Sequence, residues 1–538
     1  MTDSELKGLA GRVGAIIEER KDAFVAFAAS LLRFETVSGD ESEEGRERYR
    51  REVARCFEAI GKEAGRLGMA FRVYEGRAAV AELKGSERVG PVGPVRLAGP
   101  GAQPIGVALH IDVVPGGDGW TYPAFSGTVT NDALWGRGAQ DNKGPIGAAF
   151  AAIETLVAAG VRPARSIRLL FGTQEETGAW DDVDLLIARG EAPGPVIVPD
   201  GAFPIINGEK GMINIELKAA WEPVAPVAPG GADAAPAPSA PAVRFISLQS
   251  GRRANMVPDL ATLRLGARAQ DAGEVSRQLN AAAERQLKKT FEANVDIDTD
   301  DKAVESKEIV FTLAFHGRSA HGAHPDAGHN AALDALEYLL LLTGEPEWNG
   351  RLETMMAFIR FLHERARLLD ASGFGLALHH DHLKDTTANL GILEMDEGGG
   401  RAEINIRYPL GLTPTEIALR FQRLARELSA EASGLRVHHR VVGKAYEPLF
   451  VAPERHGAFL SALQRAYQTA TGREPRLSSI AGTTYAKAYP LAVAFGPVDE
   501  SAGEVEMAHK SDERVAIARY LENIKIYALA LALLTEND

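Results

Sequence analysis

The chain has 538 residues, 45% hydrophobic and 25% charged, which excludes a disordered chain, a collagen-like fibre and a small disulfide scaffold; its length alone suggests three to four domain-sized units. A formal net charge of −14 argues against a general nucleic-acid binder, which needs a basic footprint, and an excess of carboxylates suits a protein that binds cations. Cys56 is the single cysteine, so there is no intramolecular disulfide and no thiolate zinc site, and any metal falls to His, Asp and Glu.

The opening MTDSELKGLAGRV has no apolar signal core. No uncharged apolar run reaches 18 residues, since Gly144–Gly160 contains Glu154 and the tail IYALALALL is short. The expectation is therefore a cytoplasmic protein with no membrane partner. Residues 1–75 read mainly as helix: Ile16, Ile17, Phe24, Phe27, Leu31 and Leu32 recur at helical spacing, and a second amphipathic stretch covers about 43–67. Residues 88–104, rich in Gly and Pro, read as a loop insertion. Three short apolar runs follow, IGVALHID (105–112), SIRLLFGTQEE (166–176) and GPVIVPD (194–200), with an Ala-rich helix expected at about 145–159 between the first two. Alternation of strand and helix predicts an α/β domain with a largely parallel sheet.

Residues 222–242, EPVAPVAPGGADAAPAPSAPA, read as a flexible Pro/Ala/Gly excursion. Beyond it, ATLRLGARA, IVFTLAFHG and RAEINIRYP alternate as half-exposed antiparallel strands do. Helices are expected near 274–293, 331–342 and 415–430, giving an α+β texture and a second domain. After about 444 the α/β texture returns, with helices at 454–471 and from about 511 to 535 around the strand-like LAVAFGP.

The three apolar runs end in His110 and Asp112, in Glu175 and Glu176, and in Asp200. Open α/β sheets bind ligands beyond the carboxyl ends of their strands, so these side chains are expected along one edge. Asp141, in WGRGAQDNKG just before the Ala-rich helix, adds a carboxylate near a helix N-terminus. Each piece alone has an ordinary reading as a turn, a cap or a solvated pair. Together, one His and four or five carboxylates repel one another and raise each other's pKa unless cations compensate them.

The ordered series ALHIDVVPGGDGW, LWGRGAQDNKGP, FGTQEETG, VPDGAFPIINGEKG, GRSAHGAHPDAGHNAA, INIRYP, GTTYAKAYPLAVAFGP and EMAHK resembles the dizinc aminoacylase, carboxypeptidase and dipeptidase family of metallopeptidases (peptidase family M20). Within it, the series is most similar to the bacterial Xaa-His dipeptidase, carnosinase-like branch. The resemblance implies two zinc ions per chain, with cobalt or manganese suited to similar ligands. Asp141 would bridge them, His110 and Asp200 would complete one site, and Glu176 and His509 the other. Glu175 would be the general base, and Asp112 would orient the His110 ring. The resemblance also implies that His321 stabilises the oxyanion, in preference to His316, His324 or His329. Arg407 would grip the free carboxylate of the substrate, Asn255 would contact the oxyanion or the substrate backbone, and Gly482, Thr483 and Thr484 would offer further donors. The chain departs from the branch pattern at Thr483, where a glycine is usual, and at Lys487, where an arginine is usual. Asn330 reads as a helix N-cap, and His379, His380, Asp381 and His382 as a solvated loop.

The fold so implied is a discontinuous zinc-peptidase catalytic domain, 1–214 and 444–538, with a mixed, mostly parallel sheet. An α+β lid of double ferredoxin-like form is inserted at 215–443, with 222–242 as its flexible excursion. Dimeric relatives carry a single-unit lid and take the oxyanion histidine from the partner chain, so the long lid implies a monomer. The implied activity is hydrolysis of dipeptides or short peptides with a free C-terminal carboxylate. The alternatives are an N-acyl or N-succinyl amino acid amidohydrolase, and a metal-binding scaffold without catalysis, which every filled site position opposes.

Overall fold

The three apolar runs form the strands Ile105–His110, Ile167–Gly172 and Val196–Val198, buried along nearly their whole length. They lie in a computed structural model that describes residues 1–40, 42–85, 103–221, 243–289, 294–300, 308–343 and 353–536. The excursion 222–242, and the loop insertion 88–104 except its last two residues, fall outside the described residues. The chain divides into two units, Met1–Glu209 with Leu449–Asp538, and Lys210–Pro448.

The first unit is built on a mixed nine-stranded sheet. Its order is Ala70–Tyr74, Ala78–Leu83, Ile167–Gly172, Ile105–His110, Val196–Val198, Ala492–Ala494, Ile205–Glu209 and Leu449–Phe450, with Leu477–Ile480 also pairing to Ile205–Glu209. The central strands from Ile167–Gly172 to Ala492–Ala494 run parallel, the pairs along the order toward both edges are antiparallel, and Leu477–Ile480 pairs in parallel with Ile205–Glu209. This is the α/β class. The helix Lys143–Ala158 is buried on almost every side and packs against the helices Asp3–Leu31 and Ile517–Leu534. Small residues permit that approach: a Cβ on Gly147 would lie 2.8 Å from Ala28 Cβ and 2.7 Å from the Tyr520 hydroxyl. One apolar cluster joins these helices to the sheet through Phe150, Phe171, Leu529 and their neighbours, the burial that stabilises the unit.

The second unit is an eight-stranded antiparallel sheet with helices, an α+β arrangement. Its order is Asn294–Asp300, Glu308–His316, Leu260–Arg268, Val243–Ser250, Thr387–Asp396, Gly399–Tyr408, Gly211–Ala220 and Arg436–Tyr446. Two four-stranded halves meet where Val243–Ser250 pairs with Thr387–Asp396. Ile213, Ile215, Leu217, Ile404 and Ile406 join a core with residues of the helices Ala272–Lys289, Ala331–Thr343, Glu353–Ala366 and Pro414–Glu431. Strand alternation turns Asn214, Asn405 and Asn389 to the other face, in register across three neighbouring strands.

Three elements differ from the sequence reading. Ala70–Tyr74 is an edge strand inside the stretch read as helix, since five residues beside a turn carry too short a pattern to separate the two periods. The helix Glu353–Ala366 was not anticipated, and the last helix begins at Ile517, after the strand Arg514–Ala516. Among the described residues no helix is long and apolar enough to cross a membrane.

Candidate active site

His110 is the last residue of its strand and is 1% exposed. Its Nδ1 faces Asp112, 3.0 Å from the backbone oxygen and 3.4 Å from Oδ1. That contact holds a ring proton on Nδ1 and turns Nε2 outward. Nε2 lies 2.8 Å from Asp141 Oδ1 and 3.8 Å from Asp200 Oδ2. Asp112 is fully buried, and its carboxylate also accepts the N–H groups of Glu175 at 3.3 Å and Glu176 at 3.1 Å. One side chain therefore orients both the imidazole and the Glu175–Glu176 turn. His509 reaches the same place from the C-terminal segment: its Nε2 is 3.0 Å from Asp141 Oδ2 and 2.9 Å from Glu176 Oε2.

Two sets of ligand atoms lie within 4.8 Å of one another: His110, Asp141 and Glu176, and His110, Glu175 and Asp200. All six of His110, Asp141, Glu175, Glu176, Asp200 and His509 thus meet at the carboxyl ends of the parallel strands. Glu176 Oε1 is buried with no hydrogen-bond partner, and His110 Nε2 and Asp141 Oδ1, though 2.8 Å apart, do not meet in hydrogen-bond geometry. Buried polar atoms are rarely left so, and imidazole nitrogen with carboxylate oxygen is the donor set that divalent metals such as zinc accept. The residues fit a metal centre.

The electrostatics follow from crowding. Burial, then the Asp200 charge, pushes the Glu175 carboxyl well above the usual range. Burial and Asp141 push Asp200 up to about 8. Burial opposes the charged form of His509, yet Asp141 and Glu176 raise it to about 11. Burial likewise opposes charge on His110, and Asp112 and Asp141 outweigh it, raising the ring well above its ordinary value. Burial also works against ionisation of Asp141, but His110 and His509 hold its carboxyl far below the usual range. Without cations, the site keeps protons where metal bonds would otherwise form.

Three buried residues support this cluster and carry no sequence signal. Glu513, 0% exposed, accepts the N–H groups of Gly138 (3.1 Å), Gln140 (2.9 Å) and Asp141 (3.2 Å), and pairs with Arg137 at 2.6 Å. It ties the Asp141 loop to the segment that carries His509. Gln140 adds to that tie, accepting the Met507 N–H at 2.7 Å. Asn142 braces two strand ends, donating to Pro199 O at 2.5 Å and accepting the His110 N–H at 3.4 Å. Glu513 stands in HKSDERV, which reads as a run of solvated charges, and nothing local marks the one that is buried.

The remaining expected site residues fall in both units. In the first, Thr484 and Tyr485 are buried and Gly482 and Thr483 half-buried; Thr484 N–H and O–H both point to Glu209. In the second, His321 is exposed and stands beside Asn255, since Gly322 N–H donates to Asn255 O at 2.7 Å and Met256 bridges to His321. Asn389, itself buried, donates to the carbonyls of Ala254 and Met256 on either side of Asn255. Arg407 is 3% exposed and donates to Asn405 Oδ1 at 3.0 Å, and burial lowers its pKa to about 10. Of the rival histidines, His329 pairs with Asp334 at 2.6 Å, and His316 and His324 are exposed. Asn330 Oδ1 accepts the Ala332 N–H at 3.0 Å, as an N-cap does. His379 pairs with Asp385 on an exposed loop, and no set of ligand atoms gathers there among the described residues.

The sequence pattern of peptidase family M20/M25/M40 matches residues 106–533. The chain belongs to this family and is an α/β metallopeptidase of its type. It is 31% identical over 439 residues, 81% of this chain and 83% of the relative, to a Staphylococcus haemolyticus protein that bears the name "putative dipeptidase". A Bacillus subtilis protein of the same description is also 31% identical, over 80% of this chain and 83% of its own. Human carnosine dipeptidase 1 shares the fold at 15% identity, with a TM-score of 0.52 over 98% of this chain and 99% of its own. The aminoacylhistidine dipeptidase of Vibrio alginolyticus does so at 15% identity and TM-score 0.50, over 95% and 96%.

Proposed function

We propose that this chain is a cytoplasmic, monomeric dizinc dipeptidase, which hydrolyses the amide bond of dipeptides or short peptides that carry a free C-terminal carboxylate. The observation that carries the reading is the convergence of His110, Asp141, Glu175, Glu176, Asp200 and His509 in a chain whose similar relatives are named as dipeptidases.

Two zinc ions, when bound, polarise the scissile carbonyl and acidify the attacking water. Asp141, which lies against both His110 and His509, would contribute to holding both ions, with His110 and Asp200 holding one and Glu176 and His509 the other. Asp112 keeps the His110 proton on Nδ1, so that Nε2 remains a ligand. Glu175 takes a proton from the attacking water and returns it to the leaving amine, a task its high proton affinity supports. By the resemblance, His321 would donate to the oxyanion, Asn255 would contact the oxyanion or the substrate backbone, and Arg407 would bind the carboxylate, to which a guanidinium is well matched.

Metal-loaded enzyme offered dipeptides beside N-acyl and N-succinyl amino acids tests the reading. Turnover of dipeptides is expected. Turnover confined to the acylated amino acids would replace it with an amidohydrolase, which shares the metals and the base.

A further inference from the structure

The segment Gly482–Tyr485 and the Glu175–Glu176 turn are both tied down by buried carboxylates that belong to neither. Glu209, at the end of the strand Ile205–Glu209, is 0% exposed and accepts the Thr484 N–H at 3.1 Å and the Thr484 hydroxyl at 2.7 Å. The Thr484 oxygen itself accepts the Ala486 N–H at 3.1 Å. Both donors of Thr484 are thus committed to the protein. Thr483 is the reverse case, for its Oγ1 is buried without a hydrogen-bond partner.

The next residue continues the tie. Tyr485, 1% exposed, donates its hydroxyl to Asp182 Oδ2 at 2.6 Å. The same oxygen accepts the N–H groups of Thr173 at 2.5 Å and Gln174 at 2.9 Å, the two residues that lead into Glu175. The Tyr485 ring also stands edge-on to the His110 ring, with centroids 6.2 Å apart. Every group facing Asp182 Oδ2 and Glu209 in these contacts is a donor. A carboxylate can accept from all of them, whereas an amide would present its own donor to one; the charge also makes each bond stronger.

We propose that Asp182 and Glu209 are positioning residues, Asp182 locking Tyr485 against the residues that lead into the Glu175–Glu176 turn and Glu209 anchoring Thr484 beside it, and that Thr483 is the side chain of this segment that donates to the substrate carboxylate. The proposal rests on the peptidase reading above for the identity of the ligand, and on the hydrogen bonds alone for the lock. Through the lock, whatever holds the carboxylate end of the substrate also fixes where the Glu175 turn sits. The contact made by Thr483 then bears on substrate binding, and the tyrosine contact bears on chemistry.

The test uses the full zinc-loaded chain with Y485F, T483V, T484V and T484S. Steady-state constants are measured on a dipeptide, and amide hydrogen exchange is measured by mass spectrometry. Y485F removes one hydroxyl, and kcat is expected to fall by about tenfold or more, because small displacements of a reacting group are costly, with KM within about twofold. T483V is expected to raise KM by about tenfold, the loss of one hydrogen bond to a charged group, with a much smaller change in kcat. T484V is expected to lower activity, and T484S, which keeps the hydroxyl, to restore most of the loss. In Y485F the amides around Thr173 and Gln174 are expected to exchange faster. Wild-type kcat and wild-type exchange in Y485F would overturn the lock, and an unchanged KM in T483V would overturn the role of that hydroxyl. A wild-type chain that cleaves no peptide would refute the peptidase reading, and exchange in Y485F would still decide the lock.

Discussion

Replacing Glu513 probes how much of the candidate metal centre depends on a residue outside its ligand set. Its carboxylate is the acceptor for three backbone N–H groups of the Asp141 loop and the counter-ion of Arg137, which is 2% exposed. E513A leaves a buried guanidinium uncompensated, at a cost of roughly 3–5 kcal/mol, and strips three N–H groups of their acceptor, each worth about 1 kcal/mol or more. Against a total stability of about 5–15 kcal/mol, that variant loses much of its folded population. E513Q is the sharper probe, since the remaining carbonyl oxygen can still accept from the loop. Its cost is the difference between charged and neutral hydrogen bonding to Arg137, about 2 kcal/mol, or a fall in Tm of roughly 4–8 °C. Because Asp141 is held through this contact, zinc affinity is expected to drop by roughly 10–100-fold. Thermal unfolding followed by circular dichroism in chelator gives the first quantity, and competition with a chromogenic chelator gives the second. If E513Q melts with the wild type and binds zinc as tightly, the support of Asp141 by Glu513 is refuted.

E175Q is expected to lower turnover by roughly 10²–10⁴-fold with zinc content unchanged; loss of zinc from E175Q would make Glu175 a ligand, as its place beside His110 and Asp200 allows. Chelation should abolish activity and lower Tm, and zinc should restore both; because the carboxylates hold His509 protonated to about pH 11 and His110 well above its ordinary value, zinc uptake at neutral pH should release at least these two protons, and affinity should rise with pH. Calorimetry in buffers of differing ionisation enthalpy counts them, and no net release would contradict the site's electrostatics. Asp499 is 0% exposed; burial opposes its ionisation, but hydrogen bonds from Ser501 and Tyr467 and the charges of Arg473 and Arg519 hold its carboxyl below the ordinary value. A depressed folded value stabilises the fold above the unfolded value of about 3.9 and ceases to do so as pH falls through the folded one. D499N should therefore cost roughly 3 kcal/mol in urea unfolding at neutral pH, and less on acidification below about pH 3.9; a cost that does not change with pH would refute the ionic account.

The centre of this fold was legible because strands buried on both faces are written as uninterrupted apolar runs, and a His or carboxylate at the end of such a run has nowhere to go but the sheet edge. That pattern brought His110, Asp112, Glu175, Glu176 and Asp200 into view, the start of the Ala-rich helix added Asp141, and the ordered motifs added His509. Glu513, Asp182 and Glu209 stayed hidden for a physical reason. Nothing local distinguishes a carboxylate that accepts three buried donors from one that faces water, since the donors lie far away in the chain; Tyr485 is 303 positions from Asp182. The same limit applies to Thr484, whose residue type suits a substrate contact, while its commitment to Glu209 becomes visible only once the strand Ile205–Glu209 is placed beside it. The helix Glu353–Ala366 has a Met- and Phe-rich face that only the finished sheet of the second unit explains.

The strand Ala492–Ala494 lies between Val196–Val198 and Ile205–Glu209 in the first sheet, although the whole second unit separates it from them in the chain. During synthesis from the N-terminus, the edge of Val196–Val198 stays open until that late strand leaves the ribosome. An unpaired apolar strand edge invites association with other chains, so the nascent protein must live with this one while the second unit is made. His509 emerges later still, so the polypeptide gains this candidate metal ligand, and with it any metal-dependent capacity to cleave peptides, only after the last strand of that sheet has been made.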